Sequence, residues 1–189
     1  MENSLKIRKL TYVALFAVVM AICAQIMIPG PVPFTMQTFG VFIAVGVLGG
    51  QLGSAAVFLY LIMGAVGLPV FAGMKGGLGA LVGVTGGYIF GFLASALVMW
   101  GMEKLLGRKP WALAISMVAG LLACYALGTG WFLLVYTRNT GAIGLWAVLL
   151  KCVIPYIIPD LIKVALALAL CSRLSAALKL HKGVRHDPS

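Results

Sequence analysis

Charge is scarce in this 189-residue chain, and acidic charge is scarcest: four Asp and Glu stand against 14 Lys and Arg. Residues 10–74 contain no Asp, Glu, Lys or Arg, and residues 76–102 and 110–137 are equally empty. With 62% hydrophobic residues and a mean hydropathy of +1.10, such runs nearly exclude a water-soluble fold. The nucleotide-cradling pattern GxxxxGK[ST] is also missing; the stretch GMKGGLG lacks the Lys-Ser/Thr pair and the helix context that a phosphate loop needs. No HExxH motif and no Cys/His ligand set occurs, and the two histidines, His181 and His186, stand in a polar tail, so no metal and no cofactor is expected. Cys23, Cys124, Cys152 and Cys171 occur singly in apolar runs without CxxC spacing and read as buried structural thiols. No internal repeat of the kind that secondary transporters show is visible.

The chain does hold apolar runs long enough to cross a bilayer, which takes about 20 residues each. Breaking it at Pro/Gly clusters and charges predicts six spans, at residues 10–28, 38–49, 53–68, 86–106, 111–135 and 152–174. The first follows a basic start, as a secretory signal would. Its run is too long for a signal core and no small-residue cleavage motif follows, so it reads as a retained span. The second is short and is expected to tilt little or to be shielded by protein. Residues 1–180 then form one transmembrane domain, and residues 181–189 a polar C-terminal tail.

A net charge of +10 could suit nucleic acid, but the basic residues gather at span ends rather than in one stripe, so no nucleic-acid partner is expected. Lys6, Arg8, Lys9, Lys104, Arg108, Lys109, Arg173, Lys179, Lys182 and Arg185 fall on one side of a six-span arrangement, against Lys75, Arg138 and, near the edge, Lys151 on the other. Lys/Arg excess marks the cytoplasmic face, which predicts a multi-pass protein of the cytoplasmic membrane with both termini inside. The outer connections are then residues 29–37, 69–85 and 136–151. The first is proline-rich and favours extended backbone. The second is glycine-dense and can pass close to a ligand.

Asp160 and Lys163 are the sharpest candidates for chemistry. Three residues apart on a helix, they lie about 60° from each other on one face. A charge at mid-membrane costs on the order of 3 kcal/mol, so such residues usually face a cavity or the bundle interior; a pair that only fixes helix packing is the bland alternative. In IPYIIPDLIK the pair sits near the outer end of the last span, just after two prolines that start the helix. In the first outer loop Thr35 and Gln37 alternate with Phe34 and Met36, which places polar groups on one side of an extended segment, for ligand bonding or for simple solvation. VTGGY puts Thr85, Gly86, Gly87 and Tyr88 at the mouth of the fourth span, with Thr85 equally readable as a helix cap and Tyr88 as an interface aromatic. Ala14, Ala17, Ala21 and Ala24 fall within about 80° of arc, a smooth stripe that serves either an internal seam or a partner membrane protein.

Taken together, PFTMQTFGVFIAVGVLGG, YLIMGAVGLPVFAGMKGGLGALVGVTGGYIFGF and IPYIIPDLIK resemble the BioY family, the biotin-specific substrate-binding S components of energy-coupling-factor (ECF) vitamin transporters. The likeness runs over most of the chain and is weakest at residues 105–150. It implies an all-α, six-helix S-component bundle, capture of biotin on the outer side, no catalysis, and partnership with a transmembrane coupling subunit and a pair of ATPases. It carries ligand contact to Asp160 and Lys163, to Thr85, Gly86 and Tyr88, and to Thr35 and Gln37. Phe34, Met36 and Val70 would suit the apolar parts of biotin, and Lys75 its carboxylate. The alanines at 14, 17, 21 and 24 would contact the coupling subunit. Val84 departs from the family, standing where proline is expected. The readings that remain beside biotin are an S component for another small vitamin and a small ion-coupled channel or transporter using the Asp/Lys pair.

Overall fold

A computed structural model describes residues 2–30, 32–141 and 144–178; Pro31, Lys179, Lys182, Arg185, both histidines and the polar tail lie outside these described residues. The chain is mostly helical. Four helices have the length and apolar composition to cross a membrane: α1 (Glu2–Gln25), α5 (Gly86–Leu106), α6 (Pro110–Thr140) and α8 (Ile154–Leu178). Two shorter apolar helices, α2 (Gln37–Leu48) and α3 (Gly50–Ala65), pack among them.

The span expected at residues 86–106 agrees with α5 to the residue. Others shift for local reasons. α1 begins before the apolar run because the basic N-terminal residues continue the helix, and it ends at Gln25 because Met27–Ile28 (β1) pairs antiparallel with Phe34–Thr35 (β2). The proline-rich connection is thus the two-stranded hairpin that its extended bias suggested. α3 begins three residues early, at Gly50, directly after a break at Gly49. Gly49 has φ +89°, a left-handed conformation that a side chain would strain, and it turns the chain between α2 and α3. A Cβ on Gly50 would run into Trp100 of α5, so glycine is what lets α3 start against that helix. The orphan N–H of Gly50 is satisfied by Glu103 Oε2 at 2.6 Å.

Two further helices occupy stretches read as connections. α4 (Leu78–Val82) forms inside the glycine-dense segment, and α7 (Leu145–Cys152) precedes α8. α4 is one short turn set between glycines, too brief to show a period. α7 shows one apolar face, with Val148 and Cys152 buried while Trp146 and Lys151 are exposed. Pro159 lies inside α8 rather than at its start; its missing N–H leaves the preceding turn one bond short just before Asp160.

α2 touches α1, α3, α5, α6 and α8. At 1.5 Å per residue it is only about 18 Å long, and it is buried continuously from Val41 to Leu48, so its short length is shielded by protein rather than lipid. α5 and α6 form the tightest pair. A Cβ at Gly91 would meet Cys124, and one at Gly128 would meet the Tyr88 ring, so these glycines let the two backbones approach closely, as small residues do in membrane interfaces. The result is a bundle with two unlike ends. One carries the hairpin, the 67–85 segment and α7 and is called the loop end here. The other, the basic end, carries the α2–α3 break and the α5–α6 turn with Lys104, Arg108 and Lys109.

Candidate functional site

A cavity of about 720 Å³ opens at the loop end. The hairpin lines it with Met27, Val32, Phe34 and Thr35, and α2 with Gln37 and Thr38. The glycine-dense segment contributes Phe71, Lys75, Val84 and Thr85. Tyr88 and Phe92 come from α5, Tyr125 from α6, and Tyr156, Asp160 and Lys163 from α8.

Asp160 and Lys163 form an ion pair in the wall, Nζ to Oδ1 2.7 Å, with both side chains 4% exposed. Two charges so deeply buried hold together only when most of their remaining bonding capacity is met, as it is here. Lys163 Nζ also donates to the backbone carbonyl of Thr35 at 2.6 Å and to Thr38 Oγ1 at 3.3 Å, and it stands 4.0 Å over the Phe34 ring. Asp160 Oδ1 accepts from Thr38 Oγ1 at 3.3 Å, and Oδ2 accepts a short hydrogen bond from Tyr125. All three ammonium hydrogens are therefore engaged, whereas the carboxylate keeps lone-pair capacity for a further donor.

Around this pair a ring of hydroxyls and aromatics fixes the wall. Tyr156 donates to Val32 O and stacks its ring on Phe34, centroids 6.2 Å apart. Tyr88 shares a 3.3 Å hydrogen bond with Thr129. Thr35 Oγ1 donates to Gln37 Oε1 at 2.9 Å, and Gln37 Nε2 donates to Tyr60 OH at 2.6 Å, which in turn donates to Val70 O at 3.0 Å. That chain ties the hairpin to the root of the glycine-dense segment.

Eight of the nine residues read from sequence as ligand contacts line this cavity: Phe34, Thr35, Gln37, Lys75, Thr85, Tyr88, Asp160 and Lys163. Gly86 does not. A Cβ there would collide with the Leu81 carbonyl, so this glycine lets α5 begin against α4. Met36 and Val70, assigned to the apolar part of a ligand, are also off the wall: Met36 bonds its N–H to Ile26 O at 3.1 Å, and Val70 is buried, its carbonyl accepting from Tyr60 OH. Thr85 occupies the N-cap position of α5 without a side-chain cap bond. The alanine stripe divides. Ala17 and Ala24 are fully buried by the chain's own helices, Ala21 is half-buried, and Ala14 faces outward.

Thr38, Tyr125 and Tyr156 were not singled out in the sequence. Tyr125 stands 35 residues from Asp160 and Thr38 stands 122 away, so no local spacing links them. The available signal was the polar residue type itself inside otherwise apolar helices.

A smaller cavity of about 170 Å³ lies at the basic end, lined by residues including Val45, Met99, Glu103, Arg108, Ser116 and Cys171. Beside it Arg108 Nε stands 3.6 Å from Glu103 Oε1, and Arg108 donates to Gly46 O at 3.3 Å.

Comparison with known proteins places these features among transporters. The model of the BioY family matches residues 1–180. A biotin transporter BioY from Thermotoga maritima is 41% identical over 168 residues, covering 88% of this chain and 95% of that protein. One from Rhodobacter capsulatus is 40% identical over 169 residues, covering 83% of this chain and 87% of that protein. A solved crystal structure, the S-component for biotin from an ECF-type ABC transporter, superposes with a TM-score of 0.82 at 27% identity, covering 93% of this chain and 95% of that one.

Proposed function

The chain belongs to the BioY family, and from that premise we propose that it is the substrate-binding membrane subunit for biotin uptake, capturing biotin in the loop-end cavity. It is a transport component and not an enzyme. The observation that carries the reading is the buried Asp160–Lys163 pair in the wall of a cavity large enough for a small vitamin. A ureido ring offers two N–H donors and one carbonyl. Asp160 retains room to accept from an N–H, and Lys163 reaches the carbonyl by giving up its longest bond, the one to Thr38 at 3.3 Å. Phe34, Phe71 and Phe92 supply apolar surface for the thiophane and chain. Lys75, on the exposed rim, suits the carboxylate.

The four long helices together with α2 and α3 make six crossings in one domain of residues 1–180. The Lys/Arg excess at the basic end supports a cell-membrane orientation with that end and both termini facing the cytoplasm. The loop end then faces the vitamin supply. Energy comes from an ECF coupling subunit and its ATPase pair; Ala14 and the half-buried Ala21, on a face of α1 with Leu15, Val18 and Ile22 exposed, offer the coupling subunit a docking strip.

The purified protein in lipid nanodiscs is expected to retain labelled biotin. Asp160→Asn, which leaves Lys163 charged and unpaired in the wall, is expected to weaken retention at least about a hundredfold. Retention equal to the parent's would sink the assignment.

A further inference from the structure

Gln25 is the last residue of α1 and lines no part of the cavity. Its amide nevertheless grips a segment that lines the cavity. Nε2 donates to Phe71 O at 3.1 Å, and Oε1 accepts the Met74 N–H at 3.0 Å. The other Nε2 hydrogen goes to Ala21 O at 3.3 Å on its own helix. Both donors and one acceptor site are in use, so the amide is pinned between α1 and a turn some 46 residues away.

That turn, residues 71–75, is closed by Phe71 N–H to Lys75 O at 2.9 Å and Lys75 N–H to Phe71 O at 3.3 Å. Within it Met74 holds φ +57° directly after Gly73 at φ +70°. A residue with a side chain stays left-handed only where its surroundings impose it, and the Gln25 bond to the Met74 N–H is such a constraint. On its other side the turn is anchored by Phe71, buried against Gly64 and edge-on to Tyr60 with centroids 5.5 Å apart. The turn thus hangs between α3 and the tip of α1, and it ends on Lys75 at the rim.

We propose that Gln25 is a positioning residue that clasps this turn over the cavity mouth, so that the placement of α1 sets how fast bound biotin escapes. The inference rests on the biotin reading and goes beyond it by naming the group that controls release. Gln25 lies on the same face of α1 as the exposed Val18 and Ile22, so a partner seated on that face acts on the turn through this amide.

The test uses the whole chain in nanodiscs. Gln25→Leu keeps the bulk and removes all three bonds. Labelled biotin is expected to dissociate about tenfold faster, with association within about twofold of the parent. In ligand-free protein the Met74 amide is expected to exchange hydrogen about tenfold faster with an unchanged thermal midpoint. Gln25→Glu, which keeps the acceptor for Met74 and loses the donor to Phe71, should fall between the two. Parent-like dissociation together with parent-like Met74 exchange overturns the proposal, and so does a lowered midpoint with faster exchange throughout the bundle. A parent that binds no biotin would sink the ligand reading alone, since the exchange comparison needs no ligand.

Discussion

Two acid–base pairs sit at opposite ends of this bundle, and they are built differently. At the loop end Asp160 and Lys163 meet at 2.7 Å with side chains 4% exposed, and their remaining bonds go to Thr35, Thr38 and Tyr125 in a cavity wall. At the basic end Arg108 and Glu103 approach only to 3.6 Å with side chains 33% and 26% exposed, and their other bonds go to helix ends, the Gly50 N–H and the Gly46 carbonyl. The second pair caps the break between α2 and α3, where backbone groups lose their helical partners. The first caps nothing; it presents a carboxylate with spare capacity to an open space. Charge type is the same in both, and the neighbours decide whether a pair closes a helix break or faces a cavity.

Three single substitutions and one double variant would break or sharpen that contrast. The largest effect is expected for Lys163→Met, which strands the Asp160 carboxylate in the wall: thermal denaturation should show a loss of about 3–5 kcal/mol, and biotin retention should vanish. Adding Asp160→Asn removes the stranded charge and should recover most of the stability without recovering binding, which separates recognition from folding. Tyr125→Phe comes next. It deletes one hydrogen bond to a buried charge, and equilibrium binding of labelled biotin should weaken about tenfold, roughly 1.5 kcal/mol. Smallest is Glu103→Gln, which weakens the cap on Gly50 at a part-exposed site; the melting transition should fall by about 1 kcal/mol with biotin affinity unchanged. A change in affinity at Glu103 as large as that at Tyr125 would erase the distinction between the two ends.

Much of the architecture was legible in the chain itself. Charge-free runs marked the long apolar helices, because a bilayer admits few charges, and the i, i+3 spacing put Asp160 and Lys163 on one face of a helix. Proline and glycine marked the extended hairpin and the 67–85 segment. What stayed hidden has a common cause. Tyr125 and Thr38 reach Asp160 from other helices, and Gln25 reaches Met74 across 49 residues, distances at which no periodicity carries information. The alanine stripe looked uniform because spacing defines an arc but not what lies against it; α2 and the neighbouring helices cover Ala17 and Ala24 and leave Ala14 outside. Gly86, expected at the ligand, is packed against Leu81 and lies off the cavity wall.

By itself the sequence determined that this is an apolar helical membrane protein with an acid and a base on one face of its last helix, since hydropathy and helical period are local properties. Only the tertiary structure decided that the pair is bonded by Thr35, Thr38 and Tyr125, that it opens on a cavity, and that Gln25 bonds the 71–75 turn. Those facts depend on which helices lie side by side, and packing of glycine-lined surfaces such as those of α5 and α6 sets that, not any one segment.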